Sequence, residues 1–366
     1  MKIAQVSQHY LPIVGGQEVY IDNLNLTFRA AGWKTKVYQP NRGVHREDVE
    51  TVPRIPGLGR FIYGADAFVF DLFLYLTQRG RLAEADVIIA HYAFSAWPLR
   101  RFAQHTIVLS HGIEWYLENQ MFSDRLHERV ARSCLQEFPH VVNDTHYLRH
   151  FGYDARPATG FFTEVAPRKW FIPNCVDTAF FQRNEGLPEL KARKVILVPR
   201  QVVADRGIDL AIRAFKLLAD EDHDLALHVL GKIRHDSYPQ LCFDLVKKLC
   251  LQKRVVFQDH IENGRMADYY SSALVTVIPT LRREGTSLSA LESMACGTAT
   301  VSTNVAGLRD LPTIQCNPEA TALAQVIRKT LTDRDRIGAE QAAKVRETFN
   351  IERWKATWRQ VIEAVA

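Results

Sequence analysis

The sequence lacks the long apolar segments of an integral membrane protein. Its longest largely apolar run, Ala67–Leu76, is interrupted by Asp71 and falls well short of the roughly 20 residues that a spanning helix needs. The start, Met1–Ser7, has too few apolar residues for a signal peptide and is typical of a strand. We therefore expect a cytoplasmic protein in which Ala67–Leu76 forms a buried helix, with an interfacial membrane helix as the alternative.

Metal-binding, redox and nucleic-acid signatures are also missing. None of the six cysteines has C-x-x-C spacing, and none of the 13 histidines lies in an H-E-x-x-H pattern. The net charge of +5 is smaller than that of a dedicated nucleic-acid binder. The sequence thus predicts free thiols, no metal site and no nucleic-acid partner.

Short β-branched runs alternate with longer segments of helical character, which predicts an α/β fold with parallel sheets. The expected strands are Ile3–Val6, Thr35–Tyr38, Val87–Ala90, Thr106–Leu109, Val141–Val142, Trp170–Ile172, Val195–Val198, Leu225–Leu230, Val255–Phe257, Leu274–Ile278 and Thr298–Ser302. The expected helices include Glu18–Ala31, Ile208–Ala219, Tyr238–Leu251, Leu288–Cys296 and Ile351–Ala366. Eleven strands are many for one open sheet, so we expect two domains.

The alternation is broken around residues 174–194, where Gly186 and Pro188 indicate a linker. Parallel open sheets bind ligands outside the carboxyl ends of their strands. Two such sheets facing each other would place a ligand in a central cleft. In the last helix, Trp354 and Trp358 share a face and need a partner surface, which is either the second domain or, by crossing back, the first.

Two glycine-containing loops are candidates for binding an anion. Gly15 and Gly16 lie between the first strand and the first helix, although a plain loop would look the same. The segment Glu284–Ser289 precedes a helix whose N-terminal N–H groups could bind a diphosphate. Glu284 and Glu292 would suit sugar or ribose hydroxyls; the alternative is a surface helix with two glutamates.

The second loop resembles a known family signature. Glu284 to Glu292 reads E-x7-E within R-E-G-T-S-L-S-A-L-E-S-M-A-C-G, which is similar to the donor-binding motif of retaining glycosyltransferases of the family-4 type. Further landmarks occur in that family's order: Gly15-Gly16, Ser110-His111-Gly112, Pro173-Asn174-Cys175-Val176-Asp177 and Arg200–Gly207.

The resemblance implies the GT-B fold, with two Rossmann-like doubly wound domains facing a central cleft. The implied units are an acceptor-binding domain over residues 1–175, a nucleotide-sugar-binding domain over 176–348, and a C-terminal helix over 349–366 that packs back toward the first domain.

Specific roles also follow from the resemblance. His111, Glu284 and Arg206 are implied to be catalytic, with His111 near the transferred sugar and Glu284 on its hydroxyls, and Glu292 is implied to hold the ribose. The full set of implied donor-binding residues is Gly15, Gly16, Arg200, Arg206, Gly231, His260, Ile261, Glu284, Gly285, Thr286, Ser287, Leu288 and Glu292.

The sequence departs from the family pattern at two points. The family usually has Arg and Lys five residues apart beneath the diphosphate; here Arg206 replaces the lysine and Gln201 falls at the arginine position, with Arg200 one residue away. Arg206 keeps the charge and offers a planar fork to phosphate. Whether Arg200 or Gln201 fills the arginine position stays open. Cys175 replaces a common glycine.

The expected activity is transfer of a hexosyl unit, with retention, from a nucleotide diphosphate sugar to an acceptor hydroxyl. Gly231, His260 and Ile261 fall at positions near the nucleobase, and UDP-glucose is favoured over a GDP-sugar. No cofactor or metal is expected. The alternatives are a sugar-nucleotide 2-epimerase of the same fold and a non-catalytic sugar-nucleotide-binding protein.

The acceptor is expected to be a saccharide or a lipid-linked molecule in cell-envelope, exopolysaccharide or glycolipid assembly. Two segments, 53–63 and 97–102, mix basic and apolar residues. They are ordinary loop and surface in one interpretation. In the other they contact the inner face of an anionic membrane.

Overall fold

The structure is a computed structural model, and it describes residues 1–13, 15–53, 65–118, 120–153, 162–259 and 261–366. Its contacts divide the chain into two compact units. Unit 1 is Met1–Pro173 together with Trp354–Ala366, and unit 2 is Asn174–Arg353.

Unit 1 contains an eight-stranded sheet in the order β3-β2-β1-β4-β5-β6-β8-β7. All neighbouring strands are parallel except β7 and β8. The strands are β1 (Lys2–Val6), β2 (Lys34–Pro40), β3 (Val49–Val52), β4 (Val87–Ala90), β5 (Thr106–Ser110), β6 (His140–Val142), β7 (Thr163–Ala166) and β8 (Lys169–Phe171).

The helices of unit 1 cover this sheet. They are Gly16–Ala30, Ala65–Ala83, Ala93–Ala96, Phe122–Glu137, Thr145–His150 and Ile351–Val365, with a 3-10 segment at Trp97–His105. The last of these begins in unit 2 and continues in unit 1 from Trp354. Trp354 and Trp358 are fully buried, and the Trp358 indole N–H donates to the Tyr20 hydroxyl at 2.9 Å.

Unit 2 contains a fully parallel six-stranded sheet in the order β11-β10-β9-β12-β13-β14. Its strands are β9 (Lys194–Val198), β10 (Leu225–Leu230), β11 (Val255–Gln258), β12 (Val275–Ile278), β13 (Thr300–Thr303) and β14 (Ile314–Cys316). Its helices are Pro188–Lys191, Ile208–Ala219, Ser237–Lys248, Met266–Ser272, Leu288–Ala295, Ala320–Thr332 and Arg334–Thr348, with 3-10 turns at Ala204–Arg206, Asn263–Arg265 and Ala306–Asp310.

Both sheets contain the doubly wound strand order, in which the direction of winding reverses beside the first strand. The reversal lies between β1 and β4 in unit 1 and between β9 and β12 in unit 2. Ligands of such sheets bind at this switch point, beyond the carboxyl ends of the strands. The loops after these four strands are therefore where function should be sought.

Three strands of the structure were not expected from the sequence: β3, β7 and β14. Each lies at or beside the edge of its sheet and is only partly buried, so it lacks a continuous apolar run. The strand expected at Thr298–Ser302 begins two residues later, at Thr300.

Candidate functional site

The switch point of unit 2 brings together Arg200, Thr280 and Glu284. Arg200 follows β9 and Thr280 follows β12, so the topology of the sheet places both at its carboxyl edge. The Arg200 guanidinium donates to Glu284 Oε2, and the Thr280 hydroxyl donates to the same oxygen at 3.1 Å. Gln201 makes no such contact among the described residues, so of these two neighbours Arg200 is the one that reaches this site.

Arg206 is the second cation of the cluster. Its Nη1 lies 2.5 Å from Glu284 Oε2 and also donates to the Arg283 carbonyl at 2.7 Å. Arg200 is buried, whereas the Arg206 side chain is about a third exposed (32%). Burial lowers the pKa of Arg200 to about 10, partly offset by the charge of Glu284, so the group remains cationic at neutral pH.

Two glycines allow this cluster to form. A Cβ on Gly231 would lie 2.6 Å from the Arg200 carbonyl oxygen, so only glycine lets the loop after β10 pack against Arg200. Gly207 has a φ of +65°, and its Cβ would lie 2.0 Å from the Pro279 carbonyl oxygen. Gly231 is thus close to Arg200 itself, and the nucleobase role implied for it stays a prediction.

The helix Leu288–Ala295 begins beside the arginines. Ser287 is its N-cap, and among the described residues its hydroxyl forms no capping bond; it accepts from Arg200 Nη1 at 3.3 Å instead. Thr286 is buried, and its hydroxyl accepts from the Asn174 backbone N–H at 2.7 Å. Gly285 and Leu288 flank this turn and are partly exposed. N–H groups and two cations therefore converge, an arrangement suited to a phosphate.

Glu292 lies further along the same helix, about one turn from its end. The hydroxyl of the buried Tyr270 donates to its Oε2 at 2.8 Å. Burial raises the pKa of Glu292 to about 7, and the Tyr270 hydrogen bond opposes this rise. A carboxyl group that titrates near neutrality is well placed to change its hydrogen bonding to a ligand with pH.

In unit 1, His111 follows β5 and meets His91, which follows the neighbouring strand β4. His111 Nε2 lies 3.3 Å from His91 Nδ1, and the two rings are nearly parallel, at 9°. The Tyr20 ring packs edge-on against His111. Burial lowers the pKa of His111 to about 4 and that of His91 well below its usual range. Both imidazoles are therefore neutral at physiological pH.

Gly15 and Gly16 lie at the start of the first helix, with Gly15 as the N-cap. The Glu18 carboxylate accepts from the backbone N–H groups of Gly15 and of Glu18 itself. A Cβ on Gly15 would lie 2.9 Å from Glu18 Oε2. This differs from the expectation of an open helix N-terminus, because the chain supplies its own anion there. A donor contact at Gly15 and Gly16 stays a prediction.

The two remaining residues implied for the base site are Ile261 and His260. Ile261 follows the edge strand β11 and is partly exposed, and His260 lies outside the described residues. The sequence did not reveal Thr280, Tyr270 or His91. His91 could have been found, because it directly follows a strand that neighbours the one preceding His111; nothing in the sequence distinguishes Tyr270 from a core tyrosine.

In the segment 97–102, the basic and apolar side chains contact other residues of unit 1. Arg100 stacks on the Trp97 ring at 3.7 Å and forms an ion pair with Glu137 at 2.7 Å, while Leu99 and Phe102 are buried. Of the segment 53–63, only Pro53 lies within the described residues. No helix in the part of the chain that the structure describes is long and apolar enough to cross a membrane.

Comparison with known families covers most of the chain in two parts. Residues 14–157 match the model described as Glycosyltransferase Family 4, and residues 181–348 match the model described as Glycosyl transferases group 1. The first match contains His111 and the second contains the Arg200, Arg206 and Glu284 cluster. Both units thus carry the resemblance seen in the motifs.

Individual relatives agree with these matches. D-inositol 3-phosphate glycosyltransferase of Nocardiopsis dassonvillei is 33% identical over 149 residues, which cover 37% of this chain and 34% of that protein. The aligned segments thus span about a third of the curated relatives' length.

Solved structures share the fold over the whole chain. Sucrose-phosphate synthase from Thermosynechococcus elongatus has a TM-score of 0.81 at 21% identity and covers 100% of this chain and 98% of that one. HepE of Anabaena in complex with UDP and glucose has a TM-score of 0.77 at 16% identity and covers 100% of both chains. These structures have the GT-B fold.

Proposed function

This chain belongs to the glycosyltransferases of the family-4 type with the GT-B fold, and we propose from that premise that it transfers a hexosyl unit from a nucleotide diphosphate sugar to an acceptor hydroxyl. The observation that carries the proposal is the meeting of Arg200, Arg206 and Glu284 at the start of the helix Leu288–Ala295. UDP-glucose is the favoured donor, since a structural neighbour binds UDP and glucose, and a GDP-sugar is second.

The cluster has the chemistry that a departing diphosphate requires. Negative charge grows on the leaving group in the transition state, and preorganised cations and N–H groups stabilise it there. Arg206 is the more exposed of the two arginines, so it is the one able to turn toward a phosphate. Glu284 uses Oε2 for its three bonds, and Oε1 is the oxygen proposed to accept from a sugar hydroxyl.

The transfer is proposed to retain the anomeric configuration and to need no metal ion. The leaving phosphate would guide the acceptor hydroxyl to the same face of the sugar, while Arg200, Arg206 and the helix start supply the positive charge. Carboxylates with D-x-D spacing do occur, at Asp220, Asp222 and Asp224 and again at Asp333 and Asp335. Asp220 forms an ion pair with Lys216, and Asp222 and Asp224 form ion pairs with Lys194 at 2.9 and 3.7 Å.

The acceptor is proposed to be a saccharide or lipid-linked molecule bound by unit 1, in the assembly of an envelope polysaccharide or glycolipid. The protein is proposed to act in the cytoplasm, in peripheral contact with the inner face of a membrane. The residues proposed to face the transferred sugar are His111, Gly15 and Gly16.

A donor screen tests the activity. UDP or GDP release is measured with a panel of nucleotide sugars and saccharide acceptors. Glu284→Ala and Arg206→Ala should each lower kcat roughly 100-fold or more, because each removes a group that acts on developing charge. The matched controls are Glu221→Ala and Arg328→Ala, which break an exposed ion pair elsewhere in unit 2 and should turn over normally. Near-normal turnover by Glu284→Ala or Arg206→Ala would remove that residue from the site.

Two additions to the same assay separate the remaining alternatives. Turnover should persist in EDTA; complete loss would refute metal independence. UDP release should depend on the acceptor, and the product's anomeric configuration, read by NMR, should match the donor's. Release or epimerisation of the sugar without any acceptor would favour a sugar-nucleotide 2-epimerase, and binding with no turnover of any donor would favour a non-catalytic protein.

A further inference from the structure

A continuous chain of buried hydrogen bonds runs behind His111. It joins His111 to His91, His91 to Gln5, Gln5 to Asn25, and Asn25 to Asp48. His111 is partly buried, and all the other members are buried. Gln5 lies on β1, His91 directly after β4 and Asn25 on the first helix, so the chain crosses the switch point of unit 1.

The direction of hydrogen bonding is fixed at the Asp48 end of this series. Burial raises the pKa of Asp48, but the hydrogen bond from Arg46 and the charges of Arg46 and Arg29 outweigh burial and hold it below its usual range. Asp48 is therefore ionised and can only accept hydrogen bonds. Its Oδ2 lies 3.3 Å from Asn25, so the Asn25 NH2 group must face Asp48 and the Asn25 carbonyl must face the other way.

This orientation determines the next two links. The Asn25 carbonyl accepts from the Gln5 NH2 group at 2.7 Å. The Gln5 carbonyl then points to His91, whose Nε2 lies 2.9 Å away. Because a carbonyl can only accept, His91 Nε2 carries the proton. The reverse arrangement would turn both amides and press the Asn25 carbonyl against the Asp48 carboxylate.

The hydrogen bond between His91 and His111 fixes which nitrogen of His111 is protonated. A neutral His91 protonated on Nε2 has a bare Nδ1, which can only accept. His111 Nε2 lies 3.3 Å from that atom while the ring centroids are 5.6 Å apart. The rings thus meet edge to edge, with an in-plane N–H facing an in-plane lone pair. His111 therefore donates from Nε2 and keeps a lone pair on Nδ1.

We propose that His91 is a positioning residue which, held by Gln5, Asn25 and Asp48, fixes His111 in the Nε2–H tautomer so that His111 Nδ1 accepts a hydrogen bond from a substrate hydroxyl. Placing a sugar at His111 rests on the proposed function; the tautomer does not. In this arrangement His111 orients a hydroxyl and holds no proton on Nδ1 to give to it.

The tautomer is measured directly on the full-length protein labelled with 15N-histidine. Long-range 1H–15N correlations distinguish protonated from bare ring nitrogens, and His91→Asn and His111→Asn assign the two rings. We expect both histidines to carry the proton on Nε2 in the native protein. A proton on His111 Nδ1 would overturn the proposal, and the tautomers themselves are read from the native protein, with the variants used only to assign the signals.

A pair of glutamine variants tests the series of hydrogen bonds from Asp48 to His111. Gln5→Met keeps the length of the side chain and removes its hydrogen bonds, and it should produce a mixture of tautomers at His91 and His111. Gln39→Met is the matched control, because Gln39 is equally buried on the adjacent strand β2 but bonds to the Leu11 backbone; its spectrum should be native. Unchanged tautomers in Gln5→Met would refute the proposal that this series of hydrogen bonds fixes the tautomer of His111.

Measurements of activity then test whether the tautomer of His111 affects the substrate. Gln5→Met should lower kcat/KM for the donor about tenfold, as expected for one misdirected hydrogen bond, and Gln39→Met should not. His91→Asn, which can present an oxygen near the position of Nδ1, should retain more activity than His91→Leu. If the native protein turns over no donor while the spectra are as expected, the proposed function fails and the tautomer of His111 stands.

Discussion

Single residues at the unit 2 site are arranged so that charges neutralise one another. The Glu284 carboxylate accepts from two guanidinium groups and one hydroxyl, and its side chain is only 10% exposed. A buried charge that lost its partners would be costly. A diphosphate that enters this site would accept hydrogen bonds from the arginines in place of Glu284. The Glu284 carboxylate would then accept from a hydroxyl of the sugar.

Glu292 gives a prediction on pH. Its pKa is raised to about 7 by burial, so the carboxylate form, which is the form proposed to accept from the ribose hydroxyls, is lost as the pH falls through 7. The KM for the donor should therefore rise as the pH is lowered from 8 to 6 while kcat changes less. A steady-state pH profile measures this, and a KM that is flat across the range would contradict a ribose role for Glu292.

Tyr270 supplies the matching variant. Its hydrogen bond lowers the pKa of Glu292, so Tyr270→Phe should shift the KM profile to higher pH. Tyr269→Phe is the control, since the neighbouring hydroxyl bonds to Gln258 instead; its profile should match that of the native enzyme. Equal shifts in both variants would indicate a general loss of packing rather than an effect on Glu292.

At the scale of elements, the turn Ala204–Arg206 is held against the end of β12 by Gly207. Its φ of +65° is strained for other residues, and an added Cβ would meet the Pro279 carbonyl oxygen at 2.0 Å. Gly207→Ala should therefore lower the free energy of unfolding by about 3 kcal/mol and reduce activity by moving Arg206. Thermal unfolding and donor turnover measure the two effects.

Gly32→Ala is the control for this glycine. Gly32 has a similar φ of +75°, but nothing lies within 4 Å of an added Cβ. Gly32→Ala should lower the free energy of unfolding only by the backbone strain, about 1 kcal/mol, and should leave turnover unchanged. A Gly207→Ala protein as stable as Gly32→Ala would show that the turn relaxes away from Pro279 and that the glycine is not required.

Strands buried on both faces could be predicted from sequence, whereas three of the four edge strands could not; the edge strand Val255–Gln258 is the exception, since it was expected at Val255–Phe257. Val87–Ala90 and Leu225–Leu230 are central, fully buried strands, and they coincide with the expected runs. Val49–Val52 and Ile314–Cys316 are edge strands that are only partly buried. A three- or four-residue segment that is half exposed has no periodicity long enough to distinguish it from a loop.

The site shows the same division between local and non-local information. The loop Glu284–Ser289 could be predicted because its glycine, hydroxyl residues and following helix are adjacent in sequence. The choice of Arg200 over Gln201 could not, because it depends on which side chain the end of β9 directs toward Glu284. His91 and Tyr270 acquire their roles from neighbours distant in sequence, 20 and 22 residues away.

For the whole molecule, the two units repeat one topological plan with different chemistry. The switch point of unit 2 carries two arginines and a carboxylate, whereas that of unit 1 carries two neutral histidines backed by amides. Cations suit a diphosphate, and neutral acceptors suit hydroxyl groups. The difference supports the proposed roles of the two switch points, with a diphosphate at the arginines of unit 2 and the hydroxyls of the transferred sugar at the histidines of unit 1.

The surface of unit 1 carries a candidate for the proposed membrane contact. Tyr116, Leu117, Met121, Phe122 and Leu126 form a run of exposed apolar residues, with Met121 at 71% and Phe122 at 81% exposure, and the exposed Arg125 lies among them. Exposed apolar groups beside cations favour an anionic bilayer surface. This run is a stronger candidate for membrane contact than Trp97 and Arg100, which are satisfied by each other and by Glu137.

Liposome pelleting tests this contact. The protein should sediment with vesicles that contain an anionic phospholipid and much less with purely zwitterionic ones. Phe122→Ser should weaken binding about tenfold, as expected for the loss of one large apolar side chain from the interface. Leu241→Ser, at an exposed apolar position on a helix of unit 2, should bind like the native protein. If no vesicle sediments the protein, the membrane contact is refuted; if both variants weaken binding equally, the contact does not lie at Phe122.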